Sequence, residues 1–254
     1  MAAEVRMKTL YFSSTGNCLY VAKRLGGTAI PLAPLLRERT CHVEDDAVGV
    51  VFPIYGLCIP PIIEEFLQRL QVESDYLFAV ATYGFFPGAV CSQLRGLQLA
   101  NSRTFDYVNR LKMAENCITF ADMAKQRGDS PKKEKALDAI ARDITTRRHY
   151  VRGDSPLKRV TTAQHAKNYE YPTGIGITDE ITVSEACTGC GTCARICPLE
   201  NISIADGRPH FDTSCMSCGG CLQNCPAGAI HHNREKSAAR YRNPHVAVSE
   251  LFIR

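Results

Sequence analysis

The sequence predicts an α/β protein in which a doubly wound parallel sheet is followed by a small α+β module. Two observations support this fold class. Residues 1–150 alternate apolar, strand-like segments with helical patterns, which is typical of parallel sheets. Nearer the C-terminus, one cysteine pattern is written twice, and each cysteine of the second copy lies 28 residues after its counterpart.

The strands of the sheet are predicted from short apolar runs bounded by glycine, proline or polar residues. Strands of parallel sheets are apolar throughout because helices cover both faces. The predicted strands are Val5–Phe12, Thr28–Leu32, Val48–Pro53, Tyr76–Thr82 and Thr104–Val108.

The helices are predicted from apolar residues at helical spacing. A helical pattern runs from the end of the first strand to Arg24, and others cover Pro61–Leu70 and Gly88–Leu97. Ser130-Pro131 opens a further helix in favoured N-cap and N1 positions, with Leu137, Ile140 and Ile144 on its buried face.

Composition is that of an ordinary globular protein, with 254 residues of which 45% are hydrophobic and 22% charged. The uncharged stretches 47–63 and 76–94 are interrupted by prolines and glycines, so we read them as buried strands and loops and expect no membrane span. The first 16 residues lack the features of a signal peptide, and we expect a cytoplasmic location.

The repeated pattern is C-x2-C-x2-C-x3-C-P, the run that holds iron–sulfur clusters in bacterial two-cluster proteins. Three cysteines spaced in this way can wrap one cluster, while the fourth binds the other cluster. We therefore assign two [4Fe–4S] clusters. The first has the ligands Cys187, Cys190, Cys193 and Cys225, and the second has Cys215, Cys218, Cys221 and Cys197.

Zinc and disulfides are the alternatives to clusters. Zinc sites usually take two separated C-x2-4-C pairs and not triplets with a fourth C-P. Disulfides need an oxidising compartment, for which the sequence shows no signal. The five other cysteines, Cys18, Cys41, Cys58, Cys91 and Cys117, form no such pair and are expected to be small buried side chains in a reduced cytosol.

The formal net charge of +4 does not indicate a nucleic-acid partner. Eight cluster thiolates contribute about −8 and two cluster cores about +4, so the loaded protein is nearly neutral. The basic excess is local, within Lys125–Lys167. We expect a solvated helix face and linker there, or a docking patch for an acidic redox partner.

A second chemical signal lies between the first strand and the first helix. The turn consists of Ser13, Ser14, Thr15, Gly16 and Asn17, and hydroxyl and N–H groups at a helix N-terminus favour anions. No Walker lysine and no G-x-G-x-x-G spacing follows. Two further loops follow later strands, where open α/β sheets bind ligands. They contain Pro53, Tyr55, Gly56, Thr82, Tyr83, Gly84, Phe85 and Phe86.

This part of the chain resembles flavodoxins over roughly Val5–Val108. The resemblance implies a sheet of order 2-1-3-4-5, an FMN phosphate on Ser13–Asn17, and a flavin ring between the two aromatic loops. Tyr55 is the candidate stacking residue, with Tyr83, Phe85 or Phe86 opposite. Cys18 stands where flavodoxins usually have a hydroxyl residue, and a thiol is a weaker donor.

The whole chain resembles a family of flavodoxin–ferredoxin fusion proteins found largely in anaerobic microbes. The resemblance is carried by Tyr11–Asn17, Pro60–Phe66 and the doubled cysteine run. We expect a flavodoxin-like FMN domain at 1–150, a linker at 151–180, a two-cluster ferredoxin module at 181–235 and a tail at 236–254. The strand-like stretch Val246–Ile253 is expected to pack back on either domain.

Three functions are consistent with these residues. The first is electron transfer between two clusters, FMN and an external redox partner. The second is an FMN-dependent reductase fed by the clusters, with Tyr55, Tyr83 or His42 as a proton donor. The third is an iron–sulfur adaptor whose flavodoxin-like domain has lost its flavin and serves for docking.

Overall fold

The computed structural model describes residues 6–128, 130–168 and 178–253, which form two compact units. Each unit contains segments that are distant in the sequence. The first contains the described residues of Met1–Ser13, Cys18–Met113 and Asp129–Glu170, and the second those of Ser14–Asn17, Ala114–Gly128 and Tyr171–Arg254. The linear boundaries expected from the sequence stay predictions, and part of the expected linker, 169–177, lies outside the described residues.

The first unit is built on a parallel sheet. Its eight strands are β1 (Met7–Tyr11), β2 (Thr28–Pro31), β3 (Cys41–Glu44), β4 (Ala47–Pro53), β5 (Leu70–Glu73), β6 (Tyr76–Tyr83), β7 (Tyr107–Lys112) and β8 (Tyr150–Val151). Six of them form the central sheet in the order β2-β1-β4-β6-β7-β8, and every neighbouring pair is parallel. The first five follow the order 2-1-3-4-5, so the predicted flavodoxin-like α/β fold class is confirmed.

Helices alternate with these strands. They are α1 (Asn17–Leu25), α2 (Pro61–Arg69), α3 (Val90–Gly96), α4 (Pro131–Thr145) and α5 (Pro156–Asn168). Strands β4 and β6 are buried along nearly their whole length, as a sheet covered on both faces requires. In α4, Leu137, Ile140 and Ile144 are buried as predicted, whereas Ser130 occupies the N-cap position without a side-chain cap bond.

Four elements of the first unit, three strands and one helix, were not predicted. Strands β3 and β5 pair with each other in a separate two-stranded parallel sheet, and β8 adds an edge strand next to β7. Helix α5 falls in the segment expected to be a linker, and Thr162 is its buried residue among those described.

The predicted strand Thr104–Val108 is shifted, because β7 begins at Tyr107. The chain before it is held in a turn by Asp106, whose carboxylate accepts a hydrogen bond from Leu77 N–H at 2.8 Å. The Arg103 guanidinium pairs with the same carboxylate at 3.3 Å. A strand cannot begin until the chain has left this turn.

The second unit is a small α+β module. Its elements are β9 (Ile181–Val183), α6 (Thr192–Ile196), β10 (Ile202–Ala205), β11 (Arg208–Phe211), α7 (Gly220–Gln223) and β12 (Ile230–His232). Strands β10 and β11 form an antiparallel hairpin around the predicted turn, where Asp206 and Gly207 both have positive φ. Strands β9 and β12 form a second antiparallel pair.

The end of the chain differs from the prediction. Within Val246–Ile253, residues Val248–Leu251 form a 3₁₀ helix in place of a strand. The Glu250 carboxylate accepts a hydrogen bond from Ala247 N–H at 2.9 Å, which closes this turn. Val246 and Leu251 are buried. Among the described residues, no helix is long and apolar enough to cross a membrane.

Candidate functional site

The first predicted cluster ligands line one cavity in the second unit. The cavity is bounded by Cys187, Cys190, Cys193 and Cys225, together with Ile204, Pro209, Pro226 and Ile230. Its wall includes the loop from Thr188 to Thr192, in which Gly189 and Gly191 have positive φ. The three cysteines of the first run and the last cysteine of the second run therefore face a shared space. Iron ligation by these four residues stays a prediction.

The backbone around Gly189 explains why glycine is needed in this loop. Gly189 has φ +67°, and a Cβ atom there would lie 2.6 Å from the carbonyl oxygen of Gly207. The β10–β11 turn thus packs directly against the loop from Thr188 to Thr192. A larger residue at 189 would displace one of the two.

The second predicted ligand set is also gathered, and none of its four cysteines is exposed. Burial raises the pKa of Cys218 to about 12, with the nearby charge of Cys197 as the next cause. The pKa of Cys221 lies well above its usual range because of burial and because Cys218, Cys215 and Cys197 repel its charge. Cys197 comes from the first run, so the three sulfurs that influence Cys221 most belong to the predicted swapped set, and Cys193 of the other set has a smaller influence.

The first set includes a more accessible thiol. Cys190 is exposed, and its pKa is lowered because the hydroxyl and N–H of Thr192 stabilise the thiolate. Burial raises the pKa of Cys193 to about 11. The two sets thus differ in their access to solvent.

Backbone N–H groups donate to cysteine sulfurs at equivalent positions of the two cysteine runs. Asn201 N–H donates to Cys197 Sγ at 3.3 Å, and Ala229 N–H donates to Cys225 Sγ at the same distance. Each donor lies four residues after its cysteine. Such bonds stabilise negative charge on cluster sulfurs and are one of the features that set reduction potentials.

This donor set fits the predicted clusters. The thiols fall into two groups of four, and iron supplies the positive charge that buried thiolates require. Within the described part of the chain, no three His, Cys, Asp or Glu side chains are arranged to share one metal ion. In a four-iron cluster each thiolate binds a different iron, so that finding does not test the cluster prediction.

The Ser14–Asn17 loop belongs to the second unit and is almost fully buried. Ser14, Thr15 and Asn17 are 7%, 1% and 5% exposed. Asn116 Nδ2 donates to Thr15 Oγ1 at 2.6 Å, and Asn224 Nδ2 donates to the Ser14 carbonyl at 2.9 Å. The Thr15 hydroxyl and the Ser14 carbonyl are thus engaged by protein amides.

Asn17, the last residue of the turn, is also fully engaged. Its Oδ1 accepts hydrogen bonds from Tyr241 Oη at 2.8 Å and from Asn243 Nδ2 at 3.1 Å, while its Nδ2 donates to Ala114 O at 3.2 Å. In this conformation the side chains of Thr15 and Asn17 have protein partners and little of the loop surface is exposed, while FMN binding by the loop stays a prediction.

Within the first unit, the two predicted ring loops begin side by side. Pro53 at the end of β4 is in register with Thr82 near the end of β6, and Ile54 N–H donates to Thr82 O at 2.8 Å. Phe85 and Phe86 are 66% and 49% exposed, and Tyr55 and Tyr83 are half-buried.

The shape of the first ring loop depends on a neighbouring glycine. Tyr55 and Cys58 exchange two backbone hydrogen bonds, and Gly56 and Leu57 between them have positive φ. A Cβ atom on Gly88 would lie 2.0 Å from Leu57 O. Gly88 also has φ +53°, which a right-handed helix does not allow, and the predicted helix Gly88–Leu97 starts only at Val90. No flavin contact of these loops is tested by this geometry.

Cys18 also has a partner within the first unit. Its sulfur lies 3.1 Å from Thr82 Oγ1, and burial raises the pKa of the Cys18 thiol to about 12. This thiol is a neutral, buried group, and Thr82 is committed to it.

Sequence reasoning missed the residues that close the loop. They are Asn116, Gln223, Asn224, Tyr241 and Asn243, and all five are at least half-buried. The available signal was Asn243-Pro244, a turn dipeptide in a segment read as a tail. Such a dipeptide predicts a bend and does not reveal what the bend contacts.

Comparison with known proteins supports the cluster module. Residues 186–230 match the 4Fe-4S dicluster domain family. The matched region contains all eight predicted cluster ligands. No curated protein matches the chain.

Two solved structures show weak likeness to the chain. One is a putative flavoprotein from Bacteroides uniformis, with 18% identity, a TM-score of 0.34, and coverage of 44% of this chain and 92% of that chain. The other is a putative flavoprotein from Bacteroides eggerthii, with 18% identity, a TM-score of 0.33, and coverage of 56% and 99%. Both scores are below 0.5, so neither likeness supports a conclusion about this chain.

Proposed function

We propose that this protein transfers electrons through two [4Fe–4S] clusters to and from an external redox partner. The observation that carries the proposal is the grouping of eight cysteines into two sets, each taking its fourth member from the other run. When bound, such clusters accept and donate one electron at a time. The chain supplies the thiolates, the N–H donors to sulfur and the burial that separates the two sites.

We further propose that the first cluster is the external port. Cys190 is exposed and Ile204 beside it is 37% exposed, whereas none of the four cysteines of the second set is exposed. Electron transfer between proteins favours the shortest distance, so a partner would dock at the Cys190 edge. The second cluster then lies further along the path.

The partner we propose is an acidic redox protein. Helix α5 carries the exposed residues Arg159 and Lys167 beside the exposed apolar residues Leu157 and Val160. A basic surface attracts an acidic partner and speeds its encounter, an effect that salt screens. Association with such a partner should therefore weaken as ionic strength rises.

FMN remains the proposed second cofactor of the α/β part, residues 1–150. Its support is the S-S-T-G-N turn and the exposed aromatic residues of the ring loops. The closed loop favours the adaptor alternative, in which the α/β part holds no flavin. Flavin quantitation separates the two, because about one FMN per chain contradicts the adaptor and no FMN contradicts the flavoprotein.

The electron-transfer proposal is tested with anaerobically purified protein. Dithionite reduction should add about two electrons per chain, one for each cluster. The reduced protein should then reduce a flavodoxin, which is an acidic acceptor protein, in a stopped-flow experiment. Ile204→Glu, at the proposed port, should slow this transfer. Phe120→Glu is the control, because Phe120 is also an exposed apolar residue and lies outside both the port and the α5 surface. A protein that takes up no electrons refutes the function, and equal rates for all variants refute the port.

A further inference from the structure

The last segment of the chain closes over the Ser14–Asn17 loop. Besides the two bonds to Asn17, Asn243 N–H donates to the Thr15 carbonyl at 2.8 Å. Asn243 is 0% exposed, so its amide is committed entirely to protein partners. A buried amide whose groups are all paired is costly to disturb, because each broken bond leaves a desolvated group.

An apolar contact covers the one glycine of the loop. Gly16 has φ +91°, and a Cβ atom there would lie 2.9 Å from Val246 Cβ. In an anion-binding turn, a glycine lets the backbone approach the ligand closely. Here the surface at Gly16 is taken by the Val246 side chain.

The covering segment is itself ordered. His245 N–H donates to Asn243 Oδ1 at 3.1 Å, and Val246 N–H donates to the Asn243 carbonyl at the same distance. Tyr241 N–H donates at 2.7 Å to Gln223 Oε1, at the end of α7, the short helix that contains Cys221. The segment is thus a defined turn tied to the helix of the second cluster.

We propose that residues 241–246, here called the C-terminal latch, hold the Ser14–Asn17 loop closed to phosphate groups. The latch must leave before the loop can bind one. The statement that the latch must leave before a phosphate group binds rests on the proposed FMN site. The statement that the latch covers the loop does not. Because only the open fraction of molecules could bind, the latch lowers the apparent affinity for FMN by that fraction.

The test uses the full chain with its clusters and the latch variants Asn243→Ala and Val246→Ala. His245→Ala is the matched control, since its side chain is exposed and lies in the same segment. Iron content equal to that of wild type shows that a variant is folded. Hydrogen–deuterium exchange measured by mass spectrometry reports the amides of residues 14–18, and quenching of flavin fluorescence reports FMN binding.

We expect faster exchange of the loop amides in both latch variants and wild-type exchange in the control. The dissociation constant for FMN should fall about tenfold in Asn243→Ala, the effect of losing about one buried hydrogen bond from the closed form. Val246→Ala should shift both readouts in the same direction. It removes bulk over Gly16 and leaves the polar contacts in place, so it remains informative where Asn243→Ala does not fold.

The outcomes distinguish the latch from the proposed function. Loop exchange that is unchanged in both variants overturns the latch. FMN bound with equal affinity by wild type and variants also overturns it and leaves the flavin proposal standing. Faster loop exchange with no FMN bound to any form supports the closure and refutes the flavin proposal.

Discussion

Asn17 illustrates how a single side chain limits what a loop can bind. The sequence places it in a turn whose residue types favour anions. In the structure both ends of its amide are used, by Tyr241 and Asn243 on one side and Ala114 on the other. Residue type therefore predicted the kind of loop, and partners distant in the sequence determine its state. Such partners cannot be read from local spacing.

Among the five cysteines outside the two cluster runs, we expect Cys18 to react most slowly with alkylating reagents. Burial raises the pKa of its thiol to about 12. The thiolate is the form that reacts, and at about pH 8 a smaller fraction of Cys18 than of an ordinary cysteine is in that form. Iodoacetamide followed by peptide mass spectrometry should label exposed Cys117 in the native protein and Cys18 only after denaturation. Equal labelling of both in native protein would contradict the buried environment of Cys18.

Gly189→Ala should weaken the first cluster site. The new Cβ would meet Gly207 O, and the positive φ disfavours alanine by about 1 kcal/mol or more. Gly153→Ala is the control, because no atom lies within 4 Å of a Cβ built there and its φ is not positive. We expect fewer irons per chain in Gly189→Ala and an unchanged number in the control. An undiminished iron count in Gly189→Ala would show that the loop tolerates the methyl group.

At the scale of elements, the central strands were the most predictable part of the chain. Strands β4 and β6 are continuous apolar runs, and burial on both faces leaves few other ways to place them. Strands β3 and β5 were missed although each alternates buried and exposed residues, because four residues of alternation are a weak signal. The 3₁₀ helix Val248–Leu251 was read as a strand because its apolar residues suit both structures.

One buried ion pair should contribute strongly to the free energy of unfolding. The Asp154 carboxylate, whose side chain is 0% exposed, pairs with Arg110 of β7 and accepts hydrogen bonds from Ser92 N–H and Oγ of α3. Asp154→Ala leaves Arg110 buried without this charge partner. We expect a loss of about 3–5 kcal/mol in the free energy of unfolding, measured by urea denaturation.

The comparison is an exposed ion pair of the same unit. Asp138 pairs with Arg24 at 2.5 Å, and its side chain is 49% exposed. Because solvent screens such pairs, Asp138→Ala should cost less than about 1 kcal/mol. Similar losses for Asp154→Ala and Asp138→Ala would mean that burial does not strengthen the Asp154 contacts.

At the scale of the whole molecule, the order of parts along the chain was predictable and the division into compact units was not. The doubled cysteine run predicted the C-terminal module, and the strand–helix alternation predicted the parallel sheet. The second compact unit includes two short segments from earlier in the chain, Ser14–Asn17 and Ala114–Gly128, together with the C-terminal part. The sequence alone does not show which distant segments join one unit, because this depends on which side chains are in contact after folding.

The central claim is that the eight cysteines hold two [4Fe–4S] clusters with exchanged ligands. The most direct measurement is the content of iron, acid-labile sulfide and zinc in anaerobically purified protein, for wild type, for Cys187→Ser and Cys225→Ser, and for the double variant that combines them. We predict about eight irons and eight sulfides per chain in wild type and fewer in each single variant, with no further loss in the double variant, because both residues belong to one set. Zinc without sulfide, or losses that add in the double variant, would contradict the account.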